Sequence, residues 1–268
     1  MNSSDLKLLA TFIAQRLEMG ETEWFLKPES LSLDKLSHTS TPLSVSERVP
    51  DHEIAGDVAS FEGRTLEKKS HVDNIFSDSC FAEQESLDEL YTAVCECKRC
   101  PLGYSRNRFV FGGGNPQADI MFIGEAQGAD EDMQGLPFVG RAGRLLTKMI
   151  EAIKLHREDV YIGNILKCRP PGNRDPKADE IEKCEPIFIR QIEIIEPKII
   201  FALGRIAGQT LLRSKSPLNA LRGKVHDYHG VKLIVSYHPA ALLRNSGWKP
   251  AAWEDLKFLR REYDGLEL

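Results

Sequence analysis

Apolar and polar positions divide the chain into an irregular leader and a periodic body. From residue 86 onward, short apolar runs alternate with segments whose apolar residues recur every three or four positions. The short runs predict buried strands, and the wider spacing predicts helices with one buried face. The predicted strands are 118–123, 160–165, 198–203 and 232–236, and the predicted helices are 86–95, 142–153, 178–195, 206–212 and 251–263.

This alternation of strands and helices predicts an α/β domain over residues 86–268. Strands separated by helices pair in parallel, and the helices then cover both faces of the sheet. We therefore expect a three-layer α/β/α sandwich with a central, mainly parallel four-stranded sheet.

The sequence pattern of the leader, residues 1–85, does not predict a separate folded domain. Residues 5–18 place apolar side chains at helical spacing, and one amphipathic helix has to pack on its own protein or on a protein partner. Residues 28–85 are rich in Ser, Thr, Asp and Glu, and they bury too little apolar area to offset the entropy of ordering. We predict a largely disordered N-terminal extension that carries one short helix.

Charge separates the same two regions. Up to Leu90 the chain has 8 basic and 18 acidic residues, and the remainder has 27 basic and 22 acidic residues. A basic body is compatible with a polyanionic partner, although this excess is too small to identify one. No apolar run approaches the roughly 18 residues that a membrane helix needs. We expect a monomeric, cytoplasmic protein that does not associate with membranes.

Cysteine spacing indicates a metal centre. The six cysteines are Cys80, Cys95, Cys97, Cys100, Cys168 and Cys184. Because a reducing cytosol keeps thiols free, a C-x-x-C pair with two further cysteines favours ligation over disulfides. Tetrahedral zinc and an iron-sulfur cluster both accept four thiolates, and the lack of a second close pair favours the cluster. The alternative is that Cys168 and Cys184 are merely small buried residues. We expect Cys80 and Cys95 not to be ligands.

Polar residues follow three of the predicted strands at their carboxyl ends. Glu125 follows the first strand, Asn164 lies at the end of the second, and His238 follows the fourth. Ligands of open α/β sheets bind in the crevice at this edge, so we expect these three side chains to form one site. The long loop after Gly124 adds Phe138 and three further carboxylates, Asp130, Glu131 and Asp132, most of which we expect to be solvated.

These segments resemble one known family. GEAQGADEDMQGLPFVGRAGRLL, NILKCRPPGNRDP and YHPAALLR, together with C-x-x-C and the two later cysteines, are similar to the family 4, iron-sulfur uracil-DNA glycosylases. The resemblance covers residues 87–268. It implies an α/β/α sandwich that flips uracil out of DNA and hydrolyses its N-glycosidic bond, leaving an abasic site for base excision repair.

The resemblance also implies roles for individual residues. It assigns the ligands of a [4Fe-4S] cluster to Cys97, Cys100, Cys168 and Cys184. It assigns the uracil pocket to Gly124, Gln127, Gly128, Phe138, Asn164 and His238. We expect Glu125 and His238 to be catalytic, with Asp130 or Glu131 as alternatives to Glu125. We expect the DNA contacts to come from Leu242, Leu243, Arg244 and Arg174, with Lys167, Arg169 and Lys249 as further contacts to the DNA backbone.

One residue departs from the family pattern. Gln127 stands where the first motif of the family usually has proline, which alters the rigidity of that turn. A rival hypothesis follows: a non-enzymatic iron-sulfur protein that binds DNA or acts as a scaffold, with a decayed site. Retention of Asn164 and His238 favours the enzyme, because a decayed pocket would be expected to lose its polar pair.

Overall fold

The computed structural model describes residues 83–266 of the 268-residue chain. The helix predicted at 5–18, Cys80 and most of the linker predicted at 28–85 lie outside the described residues. The division into a leader and a domain beginning at residue 86 therefore stays a prediction.

A six-stranded sheet forms the centre of the described region. Its strands are β1 (Gly113–Gly114), β2 (Ile120–Gly124), β3 (Tyr161–Asn164), β4 (Ile199–Leu203), β5 (Val225–Tyr228) and β6 (Val231–Ser236). Their order is β1-β3-β2-β4-β6-β5. The four strands predicted from the sequence, β2, β3, β4 and β6, pair in parallel, and β1 and β5 pair with them antiparallel at the two edges.

Helices cover both faces of this sheet. They are α1 (Leu87–Val94), α2 (Leu102–Ser105), α3 (Ala129–Gln134), α4 (Arg141–Ala152), α5 (Ala178–Ile195), α6 (Arg205–Leu211), α7 (Leu218–Leu221), α8 (Pro239–Arg244) and α9 (Lys249–Asp264). Alternate residues of β2 point to opposite faces: Met121 packs in the cluster that contains α5 and α6, and Phe122 packs in the cluster that contains α4 and α9. The predicted α/β/α sandwich is thereby confirmed.

The sheet has six strands, whereas the sequence predicted four. β1 consists of two glycines, and β5 reads VHDY with mostly exposed or half-buried side chains, so neither carries an apolar run. Short polar edge strands limit pairing with other chains, and they leave no clear hydrophobic pattern in a sequence.

Strand register brings the carboxyl ends of the parallel strands together. Gly124 at the end of β2 pairs with Asn164 at the end of β3, and Leu203 at the end of β4 pairs with Ser236 of β6. The loops that follow these strands therefore open at the same edge of the sheet. Among the helices that the structure describes, none is long and apolar enough to cross a membrane.

Candidate active site

A crevice of about 670 Å³ opens at the carboxyl edge of the sheet. The loop after β2, the segment after β3, the start of α6 and the residues after β6 form its walls. Six of the residues predicted from the sequence line it: Glu125, Gln127, Gly128, Arg174, His238 and Arg244. Sheet topology thus places side chains that are more than 100 positions apart in the sequence around one cavity.

Asn164 and Phe138 are not among the residues that line the crevice, and both lie close to Gly124, which immediately precedes Glu125. Asn164 is 2% exposed, and its Oδ1 is buried with no hydrogen-bond partner. A Cβ at Gly124 would collide with Oδ1 of Asn164 and would lie 2.9 Å from Cζ of Phe138. Only glycine therefore lets the main chain lie this close to both the amide and the ring.

Phe138 adopts a strained backbone conformation. Its φ is +50°, a value that side-chain-bearing residues seldom adopt outside turns or functional sites. A Cβ at Gly143 of α4 would lie 2.9 Å from Cα of Phe138, so the glycine allows the helix to approach this turn. The Phe138 ring lies 5.7 Å from the His238 ring, between centroids. Phe138 is thus held close to both Gly124 and His238.

Buried hydrogen bonds fix the main chain of Asn164. Lys167 is 0% exposed, and its Nζ donates to the main-chain oxygen of Asn164 at 2.8 Å and to Oε1 of Gln191 at 2.5 Å. The Nε2 of Gln191 in turn donates to the hydroxyl of Tyr161 at 2.9 Å and to the main-chain oxygen of Phe111 at 3.0 Å. The expectation that Lys167 contacts the DNA backbone is therefore wrong, since its ammonium is committed inside the domain.

His238 is a neutral hydrogen-bond donor in this setting. Burial, with a smaller contribution from the positive charge of Arg244, lowers its pKa to about 4. The main-chain N–H of Ala240 donates to Nδ1 at 3.1 Å, so the ring proton lies on Nε2. A neutral imidazole with a fixed tautomer offers one N–H to a ligand at physiological pH.

Glu125 is the loop carboxylate that lines the crevice. Its pKa is raised to about 7 by burial and then by Asp175, and Arg205 opposes the rise. Two other carboxylates of the loop serve the fold. Glu131 accepts main-chain N–H groups from Gly128 (3.1 Å), Val139 (3.0 Å) and Gly140 (3.1 Å), and the 2% exposed Asp132 accepts from Asn107 and Arg108.

Gln127 is buried in the wall of the crevice. It is 3% exposed, and its Nε2 donates to the main-chain oxygen of Val110 at 3.2 Å. Its Oε1 is buried without a partner. Within residues 83–266, the only buried side-chain oxygens or nitrogens that lack a partner are this atom and Oδ1 of Asn164. Buried polar groups normally have partners, so this pair indicates a place for a polar ligand.

The residues predicted to contact DNA differ in accessibility. Leu242 is 2% exposed and packs in the core, which leaves Leu243, at 40% exposed, as the accessible leucine of the pair. Arg244 is exposed at the crevice. Arg174 also lines the crevice, and it forms an ion pair with the 2% exposed Glu180 at 2.5 Å.

The four candidate ligand cysteines come together in one region. Cys168 and Cys184 are buried in the same apolar cluster, against which Cys100 packs. Burial raises the pKa of Cys168 to about 11, and the neighbouring Cys100 and Cys97 thiols add to the rise. Burial likewise raises the pKa of Cys184 to about 12, and Cys168 and Cys97 add to it. Cys95 instead donates to the main-chain oxygen of Thr92 at 3.6 Å.

Donor chemistry of these thiols fits a thiolate-bound metal or cluster. As placed, the described residues contain no group of three cysteine, histidine or carboxylate side chains that could hold a metal ion. Arg106 nevertheless ties the cysteine segments together. It donates to the main-chain oxygens of Cys97 (2.6 Å) and Cys95 (2.9 Å) and to Sγ of Cys168 (3.3 Å).

Sequence reasoning missed several residues that shape this region. Arg106 and Gln191 hold its segments together, and Tyr237 and Trp248 line the crevice. Gln191 lies within an apolar helix face among Phe188, Ile192 and Ile195, and a polar residue at such a position was the available signal. Nothing in the spacing of Arg106 or Trp248 distinguishes either from an ordinary surface residue.

Comparisons with known proteins agree with this geometry. A family model for the uracil DNA glycosylase superfamily matches residues 111–257, more than half of the chain. The chain is 47% identical over 167 residues to the type-4 uracil-DNA glycosylase of Archaeoglobus fulgidus, covering 59% of this chain and 84% of that one. It is 46% identical over 185 residues to the type-4 enzyme of Sulfurisphaera tokodaii, covering 66% of this chain and 84% of that one. The type-5 uracil-DNA glycosylase of Pyrobaculum aerophilum is 30% identical over 151 residues, covering 50% of this chain and 66% of that one.

Proposed function

This chain belongs to the uracil DNA glycosylase superfamily, within its type-4 class, and from that premise we propose how its crevice removes uracil from DNA. The protein is a DNA glycosylase, a hydrolase that excises uracil in DNA repair. Uracil lies inside the base stack, so the enzyme flips the nucleotide into the crevice before any side chain can reach the glycosidic bond.

Recognition of uracil falls to Asn164 and Phe138. The unpartnered Oδ1 of Asn164 accepts the N3–H of uracil, and the amide nitrogen donates to O4. Cytosine offers an acceptor at N3 and a donor at N4, so a fixed amide leaves both groups of cytosine mispaired. Phe138 supplies a ring face on which the extruded base stacks. The observation that carries this assignment is the buried Oδ1, which has no partner in the protein.

Stabilisation of the leaving group falls to His238. When the bond between N1 of uracil and C1′ of the sugar breaks, the electron pair stays on the base and the sugar becomes a cation. The neutral imidazole donates its Nε2–H to the uracil O2 as negative charge develops there. An interaction that strengthens as the bond breaks raises the rate without tightening ground-state binding.

Glu125 acts on the sugar side of the reaction. Its ionised carboxylate stabilises the cation and orients the water that adds to C1′, and the water proton then leaves to solvent. Gly124, Gln127 and Gly128 complete the pocket with the main chain of the loop and with the unpartnered Oε1 of Gln127. We assign this role to Glu125 in preference to Glu131, because both oxygens of Glu131 already accept main-chain N–H groups.

Cys97, Cys100, Cys168 and Cys184 are the residues that would hold a [4Fe-4S] cluster. Four thiol donors from three segments support this assignment, and Arg106 and the main-chain N–H of Lys167 donate to two of the sulfurs. The cluster would join the segment before β1 to β3 and α5. It enters no step of the reaction.

DNA contacts are assigned to the rim of the crevice. Leu243 fills the space that uracil vacates, and Arg244 and Arg174 contact phosphates on either side. These contacts orient the strand and carry no sequence information of their own.

An assay on uracil-containing DNA tests this function. The full chain is incubated with a labelled oligonucleotide that contains one uracil, and with matched oligonucleotides that contain thymine or cytosine at that position. We expect free uracil and an alkali-labile abasic site from the first substrate alone. Binding of all three oligonucleotides without release of uracil would favour the rival hypothesis of a non-enzymatic DNA-binding protein.

A further inference from the structure

Trp248 is an exposed aromatic side chain in the wall of the crevice that the proposed mechanism does not use. It lies in the 3₁₀ turn Ser246–Trp248, which leads into α9, and its side chain is 43% exposed. The same crevice contains His238 and Arg244. Large exposed aromatics are uncommon on the described surface, and this one lies next to the reaction centre.

Tyr237 and Arg222 support one face of the Trp248 ring. It stacks on Tyr237, with 5.3 Å between ring centroids and 22° between the planes. The guanidinium of Arg222 lies over the Tyr237 ring at 4.3 Å, and its Nη1 donates to the Tyr237 hydroxyl at 3.2 Å. Tyr237 itself is 7% exposed and donates to Oδ1 of Asn219 at 3.2 Å.

Asp255 anchors this stack in the core. It is 2% exposed and accepts from Nε of Arg222 at 2.7 Å, from Nη2 at 2.9 Å and from Oγ of Ser236 at 2.6 Å. Ser236 is the last residue of β6, which also positions His238 two residues later. Tyr237, on which the tryptophan ring stacks, and His238 therefore follow the same strand end as adjacent residues.

We propose that Trp248 is a stacking site for an unpaired nucleobase of the DNA strand, next to the uracil that is flipped. The inference rests on the proposed function. Leu243 fills the gap that uracil leaves in the stack, and Trp248 offers a preformed aromatic face to a neighbouring base that leaves the stack with the uracil. Base–aromatic stacking accepts any base, because every base has a π-face. Arg244 and Arg205 of the same crevice supply positive charge for the phosphates that flank this base.

The position of the stacked base is found with abasic spacers. The full chain binds single-stranded oligonucleotides that contain a non-hydrolysable uracil nucleotide, with one spacer moved through the flanking positions. In the wild-type protein we expect one position at which the spacer weakens binding about tenfold, or about 1.4 kcal/mol. In Trp248→Ala that position should become indistinguishable from the others, and in Trp248→Phe the effect should largely remain.

Tryptophan fluorescence gives a second readout. The chain has three tryptophans, Trp24, Trp248 and Trp253. Binding of the same oligonucleotide should quench the fluorescence of the wild-type protein and of Trp253→Phe, and Trp248→Phe should lose that quench. Thermal melts of all variants check that they are folded.

The outcomes separate this inference from the proposed function. If the wild-type protein releases uracil but the spacer profiles of wild type and Trp248→Ala coincide, the stacking site is wrong and the glycosylase stands. If spacers weaken both proteins equally and the quench survives Trp248→Phe, the inference is overturned in the same way. Absence of uracil release by the wild-type protein would instead overturn the function on which the inference rests.

Discussion

One short segment, Asn164 to Cys168, connects the candidate active site to the cysteine region, and the two regions differ in how their polar atoms are satisfied. At the candidate active site, Oδ1 of Asn164 and Oε1 of Gln127 are buried without partners. In the cysteine region, the Sγ atoms of Cys168 and Cys184 accept hydrogen bonds from Arg106 and from the main-chain N–H of Lys167, both at 3.3 Å. The candidate active site therefore leaves polar atoms available for a ligand, whereas hydrogen bonds in the cysteine region hold its own chain segments together.

Lys167 joins the two regions. Its main-chain N–H contacts Cys184, and its ammonium holds the main chain of Asn164. The comparison therefore predicts two kinds of mutant. Changes in the cysteine region should reduce the amount of folded protein, and changes in the crevice should reduce the rate while the protein stays folded.

The largest effect is expected in the cysteine region. Cys184→Ala removes one of the four proposed cluster ligands, so we expect loss of bound iron and sulfide and a fall of about 4 kcal/mol or more in the free energy of unfolding. For a domain of this size that corresponds to a fall of roughly 10 °C in the melting temperature. Metal analysis, absorbance near 400 nm and thermal melts measure the change.

Cys95→Ala is the matched control, because Cys95 lies in the same region and contacts only its own helix through Sγ in the contacts described. It should keep iron and stability. Zinc in place of iron and sulfide after anaerobic purification, or an unchanged melting temperature in Cys184→Ala, would refute the cluster assignment.

The next effect is expected at the leaving group. His238→Ala removes a donor to charge that develops only as the bond breaks, so the single-turnover rate should fall about a hundredfold or more while DNA affinity changes little. Rapid-quench measurements at saturating enzyme give the rate, and binding to a non-hydrolysable substrate gives the affinity. His156→Ala, at an exposed loop position away from the crevice, should leave both unchanged. Equal losses of rate and affinity would mean that His238 binds substrate without stabilising the transition state.

A smaller effect is expected at Asn164, and it should change the preference for uracil as well as the rate. Asn164→Asp keeps the shape of the side chain but replaces the amide donor with a carboxylate, so we expect uracil excision to slow about tenfold and the uracil-to-cytosine preference to shift. Excision from paired uracil and cytosine substrates under single-turnover conditions measures both. DNA affinity should stay close to that of the wild type, because phosphate contacts dominate it. Full activity with unchanged selectivity would remove Asn164 from the pocket.

Sequence alone predicted the layers of the fold and the edge of the sheet that forms the site. The parallel strands carry apolar runs, and topology brings Glu125 and His238, which follow two of these strands, into one crevice, with Asn164 against the neighbouring Gly124. The edge strands escaped prediction because two glycines and a polar tetrapeptide pair through main-chain groups, which leave no side-chain pattern.

Finer roles depended on three-dimensional partners. In the sequence, Lys167 lies close to Arg169 and was expected to bind DNA. In the structure it is buried, and its ammonium donates a hydrogen bond to Gln191 inside the domain. Glu131 and Glu125 are equally acidic in the sequence, and only the main-chain N–H groups around Glu131 distinguish them. The proposed role of Trp248 as a stacking site rests on its contact with Tyr237, which no periodicity in the sequence predicts.

The smallest effect near neutral pH is expected at Glu125, whose pKa is raised to about 7 by burial and then by Asp175, against the opposing charge of Arg205. The proposed role requires the carboxylate, so kcat/KM should fall as pH falls below about 7, approaching tenfold per pH unit, and should level off above it. Glu125→Gln should be slower above pH 7 and should lose this dependence between pH 5 and 7. His238 does not produce the same limb, because its pKa is lowered to about 4.

The raised pKa of Glu125 also predicts how stability depends on pH. Ionisation of this carboxyl favours the reaction but opposes folding. A carboxyl whose pKa is raised in the folded state binds its proton more tightly there than in the unfolded chain, so its ionisation opposes folding. The wild-type protein should therefore lose stability relative to Glu125→Gln as pH rises from 4.5 to about 7, and the difference should stay constant above that. Urea unfolding of both proteins across this range gives the difference. If the pH dependence of the rate persists in Glu125→Gln while the stability difference appears as expected, the half-buried carboxyl of Glu125 titrates as described but another group supplies the charge that the reaction requires.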